Sequence, residues 1–386
     1  MDFELSDQQR MIRDMARDFA TERVRPGAAG RDESGEFPAA IFKEMGELGL
    51  LGMLVPEHYG GAGADALSYV LALEEVARAD AAVAVGMSVT NSVCQWPITR
   101  FGSDELRARV LPPLARGEVL GGIMLTEPAA GSDLASLRTT YRRDGDSFLL
   151  TGSKAWITNA GIARTFVVLA TRDRSLGQAG ISAFVLDAEQ DGVLVHPPER
   201  KMGLRSSRTS MVTLEDAVVP AANLLGEEGR GMKVALATLD HSRLGIAAQA
   251  LGVAQAALDE SLRYAKEREQ FGRPLLEHQA IAFRLADMDV ELEAARWLTY
   301  RAAWLSEQGG RYSRTSAEAK LLASETANRI AAAAVQIHGG YGYSREYVVE
   351  RLYRDARVTT IYEGTSEVQR MVIARVLRDL ESTAPA

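Results

Sequence analysis

The chain has 386 residues, 46% of them hydrophobic and 25% charged, with a formal net charge of −8. This is the composition of a globular protein with ample core, long enough for two or three domains. The acidic balance, without a block of like charge, argues against nucleic acid or membrane insertion, and the single cysteine, Cys94, excludes internal disulfides and cysteine-rich metal sites. The five histidines (His58, His196, His241, His278, His338) show no metal-ligand spacing, so no metal is expected. The N-terminus is acidic and helix-like, unlike a signal or transit peptide, which suggests a reducing, bacterial-like cytoplasmic setting.

In chain order, the first zone, residues 1–117, reads as helices between Gly/Pro loops. Helix is expected over Ser6 to Val24, stopped by Pro26-Gly27, then over Asp65 to Asp80, Ala81 to Phe101, and Ser103 to Arg116. Gly61-Ala-Gly-Ala-Asp-Ala66 matches a GxGxxA dinucleotide fingerprint. The segment before it is a poor strand and no βαβ unit surrounds it, so a turn leading into a helix is the better account. Residues 118–222 change to short β-branched and aromatic runs: Val119 to Thr126, Ser147 to Thr151, Thr165 to Thr171, Ile181 to Leu186, Val193 to Val195 and Met211 to Val219. Asp144-Gly145 signals a hairpin, and the zone reads as a small antiparallel barrel or sandwich. Residues 223–386 return to long helices, Gly231 to Arg268, Leu275 to Gln308 and Thr315 to Ile337, with shorter ones over Glu346 to Arg357 and Ser366 to Leu380. These pack as a C-terminal helical bundle, giving an α+β chain of helical domain, β domain and bundle.

Three stretches carry chemistry. Ile123 to Asp133 reads strand, proline turn, Gly-Ser-Asp, bringing backbone N–H groups with Thr126 and Ser132 to the rim of a pocket suited to a flat heterocycle or phosphate. In Gly152 to Gly161, Trp156 can cover a ring face while Thr158 offers a hydroxyl on the same side of a strand, although a strand Trp is more often core. Near the C-terminus, Glu363 sits between two helical patterns, with Ile361 and Tyr362 before it and Gly364 after it. Ser366 and Gln369 then form a candidate capping box. A carboxylate shielded by Ile and Tyr is a plausible general base with raised pKa; the alternative is a carboxylate that merely favours the positive end of the next helix.

TEPxAGSD, KxWITNxG, Ala237-Thr-Leu-Asp-His-Ser-Arg243, EREQFGRPL, QIHGGYGY and IYEGTSEVQR occur here in order over nearly the whole chain. In this the chain resembles the acyl-CoA dehydrogenase family, and most closely its short-chain and branched short-chain members. The resemblance implies a helical domain, a β domain and a four-helix bundle. It implies α,β-dehydrogenation of short- to medium-chain or branched acyl-CoA to trans-2-enoyl-CoA, with Glu363 as base and hydride passing to N5 of FAD. Leu125, Thr126, Gly131 and Ser132, with Trp156, Ile157 and Thr158, would line the flavin. Arg268, Gln270 and Phe271, with Gln336, Gly339 and Gly340, would reach the pyrophosphate and adenosine of FAD in a neighbouring subunit, and Thr365 and Glu367 would hold FAD beyond the base. Ser132, Asp240, Arg243 and Gly364 would meet the substrate, Asp240 and Arg243 at the adenine and pantetheine part of CoA, with Arg243 also positioning the active-site loop. Ser242 occupies the point where long-chain and isovaleryl relatives carry their glutamate, and serine leaves the role to Glu363. Electron-transferring flavoprotein would be the acceptor and a homotetramer the assembly. The alternatives are a flavin oxidase or monooxygenase on the same fold, or a non-catalytic, nucleic-acid-associated relative.

Overall fold

The structure, a computed structural model, describes residues 4–381; the first three residues and the stretch 382–386, with the Pro385-Ala386 end, lie outside it. The first part comprises α1 (Asp7–Phe19), α2 (Ala28–Ser34), α3 (Ala39–Glu47), α4 (Ala66–Ala79), α5 (Ala81–Ser88), α6 (Trp96–Phe101) and α7 (Asp104–Ala115). Ser6 caps α1 through a reciprocal box with Gln9. Pro26-Gly27 does not end the helical path as expected. A π-turn (Ala20–Val24) and a 3₁₀ turn (Arg25–Gly27) carry the chain into α2, because Pro26 lies in the first turn of a new segment, where its missing N–H costs nothing. Asp65 caps α4 by accepting from Ser68 N, and the GxGxxA stretch is the turn before it. Ala81 to Phe101 is one helical path, with a π segment (Val89–Gln95) between α5 and α6.

The middle part comprises β1 (Gly121–Met124), β2 (Thr140–Asp144), β3 (Ser147–Thr158), β4 (Thr165–Thr171), β5 (Ile181–Asp187), β6 (Val193–Pro198), β7 (Thr209–Pro220) and β8 (Leu224–Leu225). They form one sheet in the order β6-β7-β3-β2-β4-β5-β8, with β1 added against β4. Most pairings are antiparallel, as expected. The sheet is nevertheless mixed, since β1 runs parallel to β4 and β2 touches β4 in parallel at Thr140–Thr171. Asp144 pairs with Ser147 across the hairpin turn that Asp144-Gly145 signals. Phe148, Phe166 and Phe184 fill the core beneath the sheet.

The last part comprises α8 (Gly231–Glu267), a hairpin of β9 (Glu269–Gln270) and β10 (Arg273–Pro274), α9 (Gln279–Glu307), α10 (Ser313–His338), α11 (Val348–Arg357) and α12 (Ser366–Glu381). α10 packs along α8, α9 and α12, and α4 lies against α8. Small residues permit this approach: a Cβ on Gly252 of α8 would come within 2.3 Å of Glu74 O on α4. No helix among the described residues is long and apolar enough to cross a membrane. One face of α9 presents Phe283, Val290, Trp297 and Trp304 to solvent, each seven residues from the last and so on one stripe.

Candidate active site

Glu363 lies in the break between α11 and α12, on a turn whose backbone is left-handed at two successive residues, φ +52° at Glu363 and +87° at Gly364. Glycine adopts that geometry freely and glutamate does not, so the surroundings must hold it. Two side chains do. Gln369 Nε2 donates to Glu363 O (3.2 Å) and Gly364 O (2.8 Å), and Lys320 Nζ from α10 donates to the same Gly364 carbonyl at 2.7 Å. The expected Ser366–Gln369 capping box is therefore not formed. Thr365 caps α12 by accepting from Val368 N, Gln369 is spent on the turn, and Ser366 Oγ is buried without a partner. Glu367 stands exposed in the first turn of α12.

Burial pushes the Glu363 carboxyl above the usual carboxylate range. The Ser242 hydroxyl, which donates to its Oε2 at 2.7 Å, and the charges of Lys320 and Arg243 pull the other way. The apolar shield differs from expectation in that Ile361 is half exposed, whereas Tyr362 is partly buried, its hydroxyl reaching Gln249 on α8. Arg243 is buried, paired with Asp240 at 2.5 Å, and Asp240 also accepts from Ser313 Oγ at 2.8 Å. The charge of this enclosed guanidinium is felt at Glu363.

A second cluster joins the β1 end to β3. Thr126 O accepts from Ala155 N at 2.9 Å, tying the Leu125–Thr126 turn to the strand that carries Trp156, Ile157 and Thr158. Beneath them Glu127 and Lys154 form an ion pair of 2.8 Å with side chains 3% and 0% exposed. Glu127 also accepts from Arg138 N and Thr139 N, and Lys154 reaches Leu125 O. Burial lowers Lys154 to about 8, against the opposing pull of Glu127. On Glu127 the attraction of Lys154 and the N–H donors outweighs burial and holds the carboxyl below its usual range. A bulge between Lys154 and Ile157, with φ +60° at Trp156, turns the indole outward; Trp156 is 61% exposed while Ile157 is buried. Gly131 and Ser132 are exposed beyond the proline turn.

A third cluster is a groove of about 510 Å³ lined by Arg268, Gln270, Tyr264, His338, Gly339 and Gly340 among others, with the Arg268 guanidinium over the Tyr341 ring at 5.6 Å. Gln336 is exposed one turn before it on α10. Phe271 projects from the tip of the β9–β10 hairpin, 96% exposed with φ +52°. His241 is buried against Trp96 (centroids 4.8 Å, stacked) and lowered by burial to about 3, a core histidine. Among the described residues no group of His, Cys, Asp and Glu could hold a metal.

Residue patterning missed three participants: Lys320, the Glu127–Lys154 pair and the Ser242 contact. Lys320 carried a signal, since it lies on the same helical stripe as the buried Ser316, Ala323 and Ala327, a poor place for a solvated lysine.

Models of the acyl-CoA dehydrogenase N-terminal, middle and C-terminal domains match residues 6–118, 122–217 and 229–378. The chain belongs to the acyl-CoA dehydrogenase family. It is similar to the short-chain specific acyl-CoA dehydrogenase of Clostridium acetobutylicum, 46% identical over 97% of this chain and 99% of that one. Its fold is similar to butyryl-CoA dehydrogenase from Megasphaera elsdenii (TM-score 0.96, 45% identity, 98% and 100% covered). It is also similar to a chain of a structure described as the electron transferring flavoprotein of Acidaminococcus fermentans (TM-score 0.96, 46% identity, 98% and 99% covered). The activity is acyl-CoA dehydrogenation, an oxidoreduction, and the cofactor is FAD. The residues present fit that cofactor. Trp156 leaves a wide ring face uncovered, Arg268 supplies a guanidinium suited to a diphosphate, and a Cβ built on Gly131, Gly339 or Gly340 would meet nothing within 4 Å, so these backbones are open to close approach.

Proposed function

We propose that the Glu363 carboxylate removes the α-proton of a short- to medium-chain or branched short-chain acyl-CoA, which leaves as the trans-2-enoyl-CoA. The observation that carries this is a partly enclosed carboxyl of raised proton affinity on a turn with two successive left-handed residues, bonded by the Ser242 hydroxyl and within the influence of two cations. A thioester α-proton is far less acidic than a carboxylic acid, so base strength alone does not suffice. Burial makes Glu363 a stronger base, and the Glu363 N–H, with no side chain crowding it from Gly364, donates to the thioester oxygen and stabilises the developing enolate. When bound, FAD supplies an acceptor for the β-hydrogen and its electron pair.

Leu125, Thr126, Gly131, Ser132, Trp156, Ile157 and Thr158 would hold the flavin ring, with Thr365 and Glu367 beyond the base. Arg268, Gln270, Phe271, Gln336, Gly339 and Gly340 would serve the FAD of a neighbouring subunit; the outward thrust of Phe271 supports this reading. Ser132 and Gly364 would contact substrate, and Asp240 and Arg243 would act at the CoA end of the pocket. The domain boundaries proposed are 1–117, 118–222 and 223–386. A homotetramer is supported by the apolar stripe on α9, which needs a cover, and electron-transferring flavoprotein as acceptor by the likeness to the Acidaminococcus chain.

Anaerobic mixing of the yellow protein with butyryl-, isobutyryl-, octanoyl- and palmitoyl-CoA tests the substrate class. Flavin bleaching is expected fastest with the four-carbon chains; fastest bleaching by palmitoyl-CoA would count against it. Arg268→Ala is expected to keep the mass of four chains in light scattering yet lose FAD on dialysis, since a guanidinium on a diphosphate is lost. Full FAD retention, or a single-chain mass for the parent protein, would contradict the shared-site arrangement.

A further inference from the structure

Lys320 is the most unusual charged group in the helical part of the molecule. It is 0% exposed, in a helix face otherwise made of Ala and Ser, and its one hydrogen-bond partner among the described residues is the Gly364 carbonyl at 2.7 Å. Burying an ammonium without a carboxylate in direct contact is costly, and an Ala-rich interface gains nothing from it in packing. Its placement instead makes sense from the turn it touches. Glu363 and Gly364 both hold left-handed backbone, and their two carbonyls are taken by Lys320 and Gln369. The two carbonyls belong to the peptide planes that follow Glu363, Glu363–Gly364 and Gly364–Thr365, so holding both fixes the course of the turn on which the Glu363 side chain stands.

We infer that Lys320 is a positioning residue for proton abstraction: it clamps the Glu363–Gly364 turn through the Gly364 carbonyl and, by its charge, favours the ionised form of the Glu363 carboxylate. The inference rests on Glu363 being the base. The groups that bear on the pair come from each element packed there. Arg243 comes from α8, Glu325 lies on the helix of Lys320 itself, Glu367 begins α12, and the hydroxyls of Tyr362 and of Tyr69 on α4 feel the Glu363 charge. Burial lowers Lys320 to about 7, with Glu363 the largest opposing influence. The two groups are therefore coupled, each charge favouring the ionised form of the other. A positive Lys320 holds the Glu363 pKa down; without that charge the carboxyl keeps its proton to higher pH and the fraction of competent base at neutral pH falls.

The test uses the FAD-loaded protein and butyryl-CoA, reading the rate of flavin bleaching against pH. Lys320→Met removes charge and hydrogen bond together. It is expected to shift the rising limb of the profile upward by about one pH unit and to lower kcat about tenfold or more at neutral pH with KM little changed. Lys320→Gln keeps a donor without charge and is expected to show the same pH shift with a smaller loss of kcat, while Lys320→Arg returns the limb toward the parent position. FAD content and melting temperature establish which variants are folded. If Lys320→Met does not fold, the Gln and Arg pair alone decides the charge effect. A folded Met or Gln variant with the parent pH midpoint and a kcat within about twofold of the parent would overturn the inference. If Glu363→Gln itself bleached at the parental rate, the failure would lie with the base assignment and not with Lys320.

Discussion

Glu363→Gln is expected to yield a folded, yellow protein whose flavin bleaches with butyryl-CoA at least about 10³-fold more slowly than the parent. The amide keeps the shape of the side chain and can still pair with Ser242 Oγ, so the turn gripped by Lys320 and Gln369 should persist. Only the proton acceptor is gone. A loss shared between binding and rate would point to a disturbed turn; a loss confined to the bleaching rate, with FAD content unchanged, isolates the chemical step. The pH dependence follows from the raised carboxyl. With Glu363 as the proposed base, the rate is expected to rise with pH through its elevated pKa, and the rising limb should vanish in the Gln variant.

The second large effect concerns Glu127, which is not among the candidate residues of the sequence motifs yet pairs with Lys154 beneath the turn proposed to hold the flavin. Glu127→Ala strands the Lys154 ammonium in the interior with Leu125 O at 3.4 Å as its remaining contact, and it frees the Arg138 and Thr139 N–H groups. Removing one partner of a buried pair costs about 3–5 kcal/mol, a large share of the roughly 5–15 kcal/mol that holds a typical domain together. Because Glu127 sits between Thr126 and Pro128, the loss should also release the turn from β3 and lower FAD content. Differential scanning calorimetry and the flavin-to-protein absorbance ratio read both. A double change, Glu127→Leu with Lys154→Met, should recover much of the melting temperature, since an apolar pair removes both buried charges. An unchanged melting temperature for Glu127→Ala would show that the pair carries no structural weight.

The order helix, sheet, helix was legible because the apolar period switches from about 3.6 to 2 near Val119 and back near Gly231. The parallel pairing of β1 with β4 was not, since register and direction depend on partners far along the chain. Pro26-Gly27 misled because proline stops a helix only when its own N–H is needed; here it opens a new turn. Around Glu363 the break itself was readable from Gly364, but the cap was misassigned by one residue. Thr365 and Ser366 are equally good caps on paper, and only the tertiary demand on Gln369, which must hold two carbonyls, decides between them. Lys320 and Lys154 escaped for a shared reason. Lysine in a sequence reads as solvent, and its burial becomes visible only when the residues facing it are known.

The most direct measurement of the central assignment is α-hydrogen exchange from butyryl-CoA into D₂O, followed by mass spectrometry or proton NMR, in parent and Glu363→Gln proteins of equal FAD content. The assignment predicts exchange in the parent and none above background in the variant. Exchange by Glu363→Gln at the parental rate would contradict it.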